Sequence, residues 1–129
     1  MKAPNNCIEL KCFWTWMGDD GVVRTKVKPD SEVVLEDAKE NSIAVNSFSG
    51  TKYSMLVDTR EIKSITKEAR NHFSMNNRES KVVAFAMLIK SPLSKVIANF
   101  FLGLNKPRVP VKIFTNEKKA IDWCKTYLN

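Results

Sequence analysis

The run VVAFAMLIK, residues 82–90, constrains the fold more than any other stretch of the chain. It is apolar at every position before its closing lysine, so the strand that it would form has no polar face. Strands that are apolar on both sides are typical of parallel sheets covered by helices on both faces. The run therefore predicts a central strand in an α/β domain.

The opening part of the chain predicts an amphipathic β-hairpin. Residues 8–17 and 22–28 alternate apolar and polar side chains on either side of the turn signal GDDG. We expect one face to be buried and to carry Trp14 and Trp16, and the opposite, wet face to carry basic residues, namely Lys11, Arg24, Lys26 and Lys28. A basic stripe of this kind either binds an anion or protects an exposed strand.

The remaining segments alternate between helix and strand patterns. Helices are predicted after Pro29, from about Thr66, over residues 93–104 and over residues 116–128, and strands at YSMLVD and VKIFT. The order is therefore ββαβαβαβα, in a single domain over residues 1–129. Since single helices join successive strands, we expect parallel crossovers after an antiparallel hairpin, and a mixed five-stranded sheet with four helices.

Composition favours a soluble protein of a reducing compartment. The chain has no apolar run long enough to cross a membrane, and its N-terminus MKAPNNCIELK lacks the apolar core of a secretory signal. Its three cysteines, Cys7, Cys12 and Cys124, form no CxxC pair, which argues against a disulfide framework or a zinc site. We therefore expect a cytoplasmic protein.

Charge is divided unevenly along the chain, whose formal net charge is +7. Residues 1–62 hold 8 basic and 10 acidic side chains, whereas residues 63–129 hold 13 basic and 4 acidic ones. Such asymmetry favours an acidic protein surface, an anionic ligand or nucleic acid as partner, although a solvated basic face also explains it. Nucleic acid is the weakest of these partners, because the basic residues are spread over several elements and the hairpin tryptophans are expected to be buried.

No set of catalytic residues emerges from the sequence. The one histidine, His72, is expected to flank the apolar face of its helix and to pair with Glu68. No spacing suggests a Ser-His-Asp set, the four glycines are too scattered for a phosphate loop, and neither HExxH nor CxxC occurs. We predict no enzymatic activity, no metal site and no cofactor.

Residues 56–70, LVDTREIKSITKEAR, resemble the switch region of the STAS superfamily, named after sulfate transporters and bacterial anti-sigma-factor antagonists. In that superfamily a core strand ends in Asp, and a short loop leads to a helix that begins Asp-Ser-Ser-Gly. Here Asp58 closes the strand, and Thr66, Lys67, Glu68 and Ala69 stand at the place of that motif. With LEDAKEN and SPLSKVIANFFLGLNKP, the whole chain is similar to small, stand-alone bacterial STAS-like proteins of unassigned activity.

The resemblance implies a regulatory switch, but the switch residue differs here. STAS antagonists are phosphorylated on the second serine of the motif, and Glu68 occupies that position. A glutamate accepts no phosphate from a serine kinase, yet it places a permanent negative charge near a helix N-terminus. The 58–70 turn is therefore the candidate switch or recognition site, with the residues Asp58, Ser64, Thr66, Lys67 and Glu68. Thr66 is also expected to cap the helix.

The helix predicted over residues 93–104 is apolar almost all round. Its expected core-facing stripe is Leu93, Val96, Ile97, Phe100 and Leu104. Because further apolar residues lie outside this stripe, the helix is either buried on several sides or exposes a contact surface. We favour a contact surface, formed by Phe100, Phe101, Leu102, Lys106 and Arg108.

Together these patterns predict a non-enzymatic regulatory or protein-interaction module of the STAS-like type. Its partner would be an unidentified protein, and a homodimer is one form that the apolar helix would support. The alternative is a small-ligand carrier that holds a lipid or an anionic metabolite between helices and sheet. Association with a membrane surface is the third and weakest hypothesis.

Overall fold

A computed structural model describes residues 4–74, 81–90, 94–96, 98–99 and 109–128 of the chain. Its strands are β1 (Ile8–Glu9), β2 (Phe13–Met17), β3 (Val22–Val27), β4 (Glu32–Val33), β5 (Tyr53–Asp58), β6 (Ser64–Ile65), β7 (Val82–Leu88) and β8 (Val111–Phe114). Its helices are α1 (Leu35–Asn46), α2 (Lys67–Ser74) and α4 (Glu117–Lys125), and a further helix, α3, is described at residues 94–96 and 98–99. No helix in the described ranges is long and apolar enough to span a membrane.

The main sheet has six strands in the order β1-β2-β3-β5-β7-β8. The pairs β1–β2 and β2–β3 are antiparallel, and β3, β5, β7 and β8 run parallel to one another. The apolar strand β7 lies between β5 and β8, as its composition predicts. The mixed sheet with four helices confirms the α/β fold, although the sheet has one strand more than expected.

Helices cover both faces of the parallel strands. Ala38 of α1 and Ala69 of α2 pack with Met87 on one face. Ala120 and Cys124 of α4 pack with Leu88 on the other. Because neighbouring residues of a strand point to opposite faces, this double coverage buries β5 along its whole length.

The hairpin departs from its prediction in which side chains share a face. In the register of β2 with β3, Trp14 lies opposite Lys26 and Trp16 lies opposite Arg24, so the tryptophans share a face with the cations. Phe13 and Thr15 instead lie on the face against which α1 and α2 pack. The predicted grouping was wrong because the chain turns back between β1 and β2, and because both faces of β2 carry buried residues.

Thr15 shows why alternation was a poor guide in this strand. It is fully buried, and its Oγ1 donates a hydrogen bond of 2.6 Å to Asn41 Oδ1 of α1. Its Oγ1 also lies 3.0 Å from Thr25 Oγ1. A polar side chain can occupy the face against which α1 packs when its hydrogen-bonding groups are satisfied there.

The described part of α3 also corrects a prediction. Ser94 and Ala98 are buried, whereas Val96, expected in the core-facing stripe, is 58% exposed. The Ser94 hydroxyl donates a hydrogen bond to the Thr59 carbonyl, which directs the face with the small residues inward. The other predicted stripe residues, Leu93, Ile97, Phe100 and Leu104, lie outside the described residues.

Candidate functional site

The 58–70 turn begins at a buried carboxylate, that of Asp58, at the end of β5. The Arg60 side chain donates two hydrogen bonds to this carboxylate, from Nε to Oδ1 at 2.9 Å and from Nη2 to Oδ2 at 2.8 Å. Lys26 Nζ lies 3.6 Å from the same Oδ2. The Asp58 side chain is only 1% exposed, so this group is shielded from water and held by two cations.

The surroundings of Asp58 keep it charged. Burial acts to raise the pKa of the carboxyl, but the hydrogen bonds and charge of Arg60, with the charge of Lys26, outweigh burial and hold the pKa below its usual value. The same hydrogen bonds raise the pKa of the Arg60 guanidinium, so both partners are favoured in their charged forms. The pair is therefore a fixed ionic anchor and not a group poised to exchange protons near neutral pH.

Further charges connect this anchor to its neighbours. Lys26 Nζ also lies 3.2 Å from Glu61 Oε2, and Arg60 Nη2 lies 3.6 Å from Glu117 Oε1. These contacts join β3, the turn and the first residue of α4. Three of the four cations of the stripe predicted on the hairpin thus contact carboxylates of the chain itself, since Arg24 contacts Asp20 and Lys28 contacts Glu9 in the same way. The fourth, Lys11, is exposed.

The backbone of the turn is anchored at its start. Thr59 donates two hydrogen bonds of 3.0 Å to the Leu88 carbonyl, one from its backbone N–H and one from its hydroxyl. Its own carbonyl accepts the hydroxyl of Ser94 from α3. The side chain of Ile62 is buried, which adds an apolar contact to these polar ones.

A second anchor lies further along the turn, where β6 pairs in parallel with β4. The N–H groups of Lys63 and Ser64 donate to the Ser31 carbonyl, at 3.0 and 3.2 Å, and Thr66 N–H donates to the Val33 carbonyl at 3.0 Å. Ser64 is therefore a half-buried strand residue. Two-residue strands carry no readable periodicity, so this small sheet has no signal in the sequence.

The start of α2 presents the remaining candidate residues. Thr66 Oγ1 accepts a hydrogen bond of 3.2 Å from Ala69 N–H, the contact expected of a helix N-cap. Lys67 and Glu68 are exposed. Within the described residues no hydrogen bond or ion pair joins either of them to Asp58, so the turn separates a buried anchor from an exposed charged pair.

His72 contacts a serine and not the glutamate predicted for it. Its Nε2 lies 2.9 Å from Ser42 Oγ, across the contact between α1 and α2. Burial, and then the charge of Lys39, lower the pKa of the imidazole, so the ring is neutral at neutral pH. Among the described side chains no carboxylate bonds to this ring, and the contact therefore lacks the third member of a hydrolase triad.

The second predicted contact surface lies outside the described residues. Its members are Phe100, Phe101, Leu102, Lys106 and Arg108. In the ranges that are described, no group of three or more His, Cys, Asp or Glu side chains is arranged to hold a metal ion.

The family of the chain follows from a comparison with family models. Residues 15–128 match the model of the domain of unknown function DUF7793, and the chain belongs to that family. No match was found among curated proteins.

One solved structure supports the fold. An uncharacterized protein of the DUF3478 family from Shewanella loihica PV-4, described as having a SpoIIAA-like fold, aligns with a TM-score of 0.56 at 15% identity. The alignment covers 87% of this chain and 91% of that protein. A protein of unknown function from Arthrobacter sp. FB24 aligns over 91% of this chain and 95% of its own length, with 28% identity and a TM-score of 0.34. The first likeness supports a STAS-like fold and leaves activity open.

Proposed function

We propose that this DUF7793 domain is a non-enzymatic regulatory module that recognises a protein partner through the exposed face of its 58–70 turn. The observation that carries the proposal is the contrast within the turn itself. Its backbone and its first carboxylate are held by buried contacts, while Lys63, Lys67 and Glu68 are exposed. Charged side chains on a rigid support are typical of a recognition surface.

Rigidity supports this proposal because it lowers the cost of binding. A loop that must be ordered when it binds loses conformational entropy, and that loss weakens the complex. Here hydrogen bonds to the Leu88, Ser31 and Val33 carbonyls already fix the backbone. A partner would meet the side chains of the turn in one arrangement, without first having to order the loop.

Glu68 gives the surface its chemical character. It lies in the first turn of α2, where a negative charge interacts favourably with the helix dipole. By the STAS resemblance, it stands where a phosphoserine would carry its charge. We infer that the module presents one state permanently, and that its partner reads a carboxylate beside the ammonium of Lys67.

A charge reversal at Glu68 tests the proposal. We expect Glu68→Lys to abolish capture of the partner from extracts of the source cell, because the carboxylate would be replaced by a like charge beside Lys67. Glu40→Lys is the matched control, since Glu40 is an exposed glutamate of α1 that lies outside the turn. The measurement is quantitative mass spectrometry of proteins retained by each immobilised variant.

Circular dichroism of each variant would establish that the fold is retained. An identical set of retained proteins for the wild type and Glu68→Lys would contradict recognition through the turn. Phe101→Asp, tested in the same way, examines the second predicted contact region separately.

A further inference from the structure

The main sheet ends in two edge strands, β1 and β8, which differ in length. β1 has two residues, and a short edge strand is one of the ways in which proteins prevent an edge from pairing. β8 has four residues, and every one of them keeps some exposure to solvent, whereas β5, two strands away, is buried throughout. The edge at β8 is therefore the one that has room for a further strand.

The outer side of β8 carries backbone hydrogen-bonding groups. The Pro110 and Phe114 carbonyls accept hydrogen bonds of 2.9 Å from N–H groups of residues 85–89, so alternate residues turn their backbone groups toward β7. In this register the N–H and C=O groups of Val111 and Ile113 are directed away from β7. Among the described residues, no group donates to them or accepts from them. A row of this kind is a template for another strand.

The residues that usually protect an edge do not cover this one. Proline and lysine are two such residues, and both occur at β8. The Pro110 carbonyl faces β7, so the position of its missing N–H lies on the same inner side. The Lys112 ammonium lies 5.5 Å from the centre of the Phe114 ring, over the face of the sheet. The outer groups of Val111 and Ile113 thus stay open to pairing.

The charge of this part of the chain is positive and is not neutralised by nearby carboxylates. Lys90, Lys95 and Lys112 are exposed, and within the described ranges no carboxylate forms an ion pair with any of them. The hairpin differs, since three of its four cations contact carboxylates. From residue 90 to residue 112 the sequence has five basic residues and no acidic one. Such a surface favours an acidic partner.

The two faces of β8 determine which side chains an added strand would need. Lys112 lies with Phe114 on the face that α4 covers. Ile113 lies on the opposite face, where it packs against the core that contains Ala98 of α3. Because side chains of paired strands meet on the same face, an added strand would place carboxylates beside Lys112 and apolar side chains beside Val111 and Ile113.

A second copy of this chain fits the edge less well. Two copies related by a twofold axis would pair β8 with β8 in antiparallel orientation. Lys112 of one copy would then lie directly or diagonally opposite Lys112 of the other, and like charges at such positions destabilise paired strands. An acidic segment of another protein would use the same backbone groups without this repulsion.

We propose that the outer edge of β8 binds an extended acidic segment of a partner protein, which adds a further strand to the sheet and alternates carboxylate with apolar side chains. In this mode of recognition the backbone supplies affinity and the alternate side chains supply specificity. The contact goes beyond the proposed recognition by the 58–70 turn. The two surfaces share no residue, so either proposal can fail without the other.

A synthetic peptide tests the edge. The probe is a short fluorescein-labelled peptide that alternates glutamate and valine, and fluorescence anisotropy measures its affinity. We expect Lys112→Glu to weaken binding about tenfold, since an attractive cross-strand pair becomes a repulsive one. Lys52→Glu makes the same change at an exposed lysine before β5, and should leave the affinity within about twofold of the wild type.

Two further measurements separate strand addition from charge attraction. Val111→Pro removes one outward N–H group and keeps the neighbours that bond to β7, so the peptide should no longer bind to this variant. In the wild type, amide exchange of Val111 and Ile113 should slow at least about tenfold when the peptide is added, because both N–H groups would gain an acceptor. The second measurement requires no variant to fold.

Several results would overturn the proposal. One is the absence of peptide binding at millimolar concentration, and another is an equal loss of affinity in Lys112→Glu and Lys52→Glu. A third is binding that leaves the exchange of Val111 and Ile113 unchanged. Slow exchange of both amides in the free protein would also contradict it, because a monomer would then cover its own edge and a concentration-dependent dimer would pair it with a second copy.

Glu68→Lys keeps the two proposals apart. This change lies in the 58–70 turn and should leave peptide binding unchanged, whatever its effect on capture of a partner from extracts. Thermal unfolding of each variant separates a loss of binding from a loss of fold.

Discussion

Two Asp–Arg pairs in the described part of the domain are each joined by two hydrogen bonds but have very different surroundings. Asp58 and Arg60 form a two-bond contact at the end of β5, and Asp20 and Arg24 form one at the β2–β3 hairpin. The carboxylates differ in exposure, since the Asp58 side chain is 1% exposed and that of Asp20 is 25% exposed. Only the first carboxylate is fully removed from water.

This difference in burial separates a structural contact from a surface one. Water cannot stabilise a buried charged group whose partner has been removed. In an exposed pair, water solvates the remaining group, so the loss of its partner costs little. Asp58 also anchors the turn that carries Lys67 and Glu68, while Asp20 pairs with Arg24 at the hairpin. The same residue types therefore fix a buried turn in one place and form a partly solvated pair in the other.

The largest expected effect is on stability. Asp58→Asn should lower the free energy of unfolding by about 3 kcal/mol, because Arg60 and Lys26 lose a desolvated carboxylate. Asp20→Asn should lower it by about 1 kcal/mol or less, because its pair is partly solvated and the amide still accepts from Val22 N–H. Urea unfolding of both variants, monitored by tryptophan fluorescence, provides the comparison. Equal losses would show that burial does not distinguish the two pairs.

A smaller effect is expected in the response to acid. The pKa of Asp20 is lowered by hydrogen bonding from Arg24, against the opposing effect of burial, and that of Asp58 is lowered as well. A carboxyl whose folded pKa is depressed binds fewer protons in the native state. Its stabilising contribution is complete above the pKa of the unfolded chain, about 3.9, and is lost as pH falls through the folded value.

The wild type should therefore lose stability as the pH falls from about 4 toward the lower folded pKa values, and each variant should lose less of it over that range. We expect the larger decrease in the pH dependence of stability in Asp58→Asn, because charge interactions of a buried group are screened less by solvent. Urea titrations at several pH values measure the slope. A slope unchanged from the wild type in Asp58→Asn would contradict a depressed pKa at that residue.

The parts of the fold that the sequence predicted well are those with strong local patterns. YSMLVD forms β5 at Tyr53–Asp58, VVAFAMLIK contains β7, and Thr66 Oγ1 caps α2 by accepting from Ala69 N–H at 3.2 Å. A continuous apolar run, a strand end and a capping side chain are each local signals. They place Asp58 correctly at the end of β5 and Thr66 correctly just before α2.

What the sequence did not predict depends on contacts between distant segments. The β4–β6 pair joins strands of two residues each, and the face shared by Trp16 and Arg24 follows from a register that alternation alone does not set. The contact of Arg60 with Glu117 joins the turn to a helix far along the chain. The inward face of α3 was misassigned because Ser94, a polar residue, is buried by a hydrogen bond.

Amide hydrogen exchange of the 58–70 turn tests the central claim, that this turn is a rigid support for its exposed charges. The N–H groups of Thr59, Lys63, Ser64 and Thr66 all donate to carbonyls outside the turn. We predict that they exchange within about tenfold of the slow amides of β5, and far more slowly than the exposed loop at residues 49–51. Exchange of these amides as fast as that of the loop would contradict the claim.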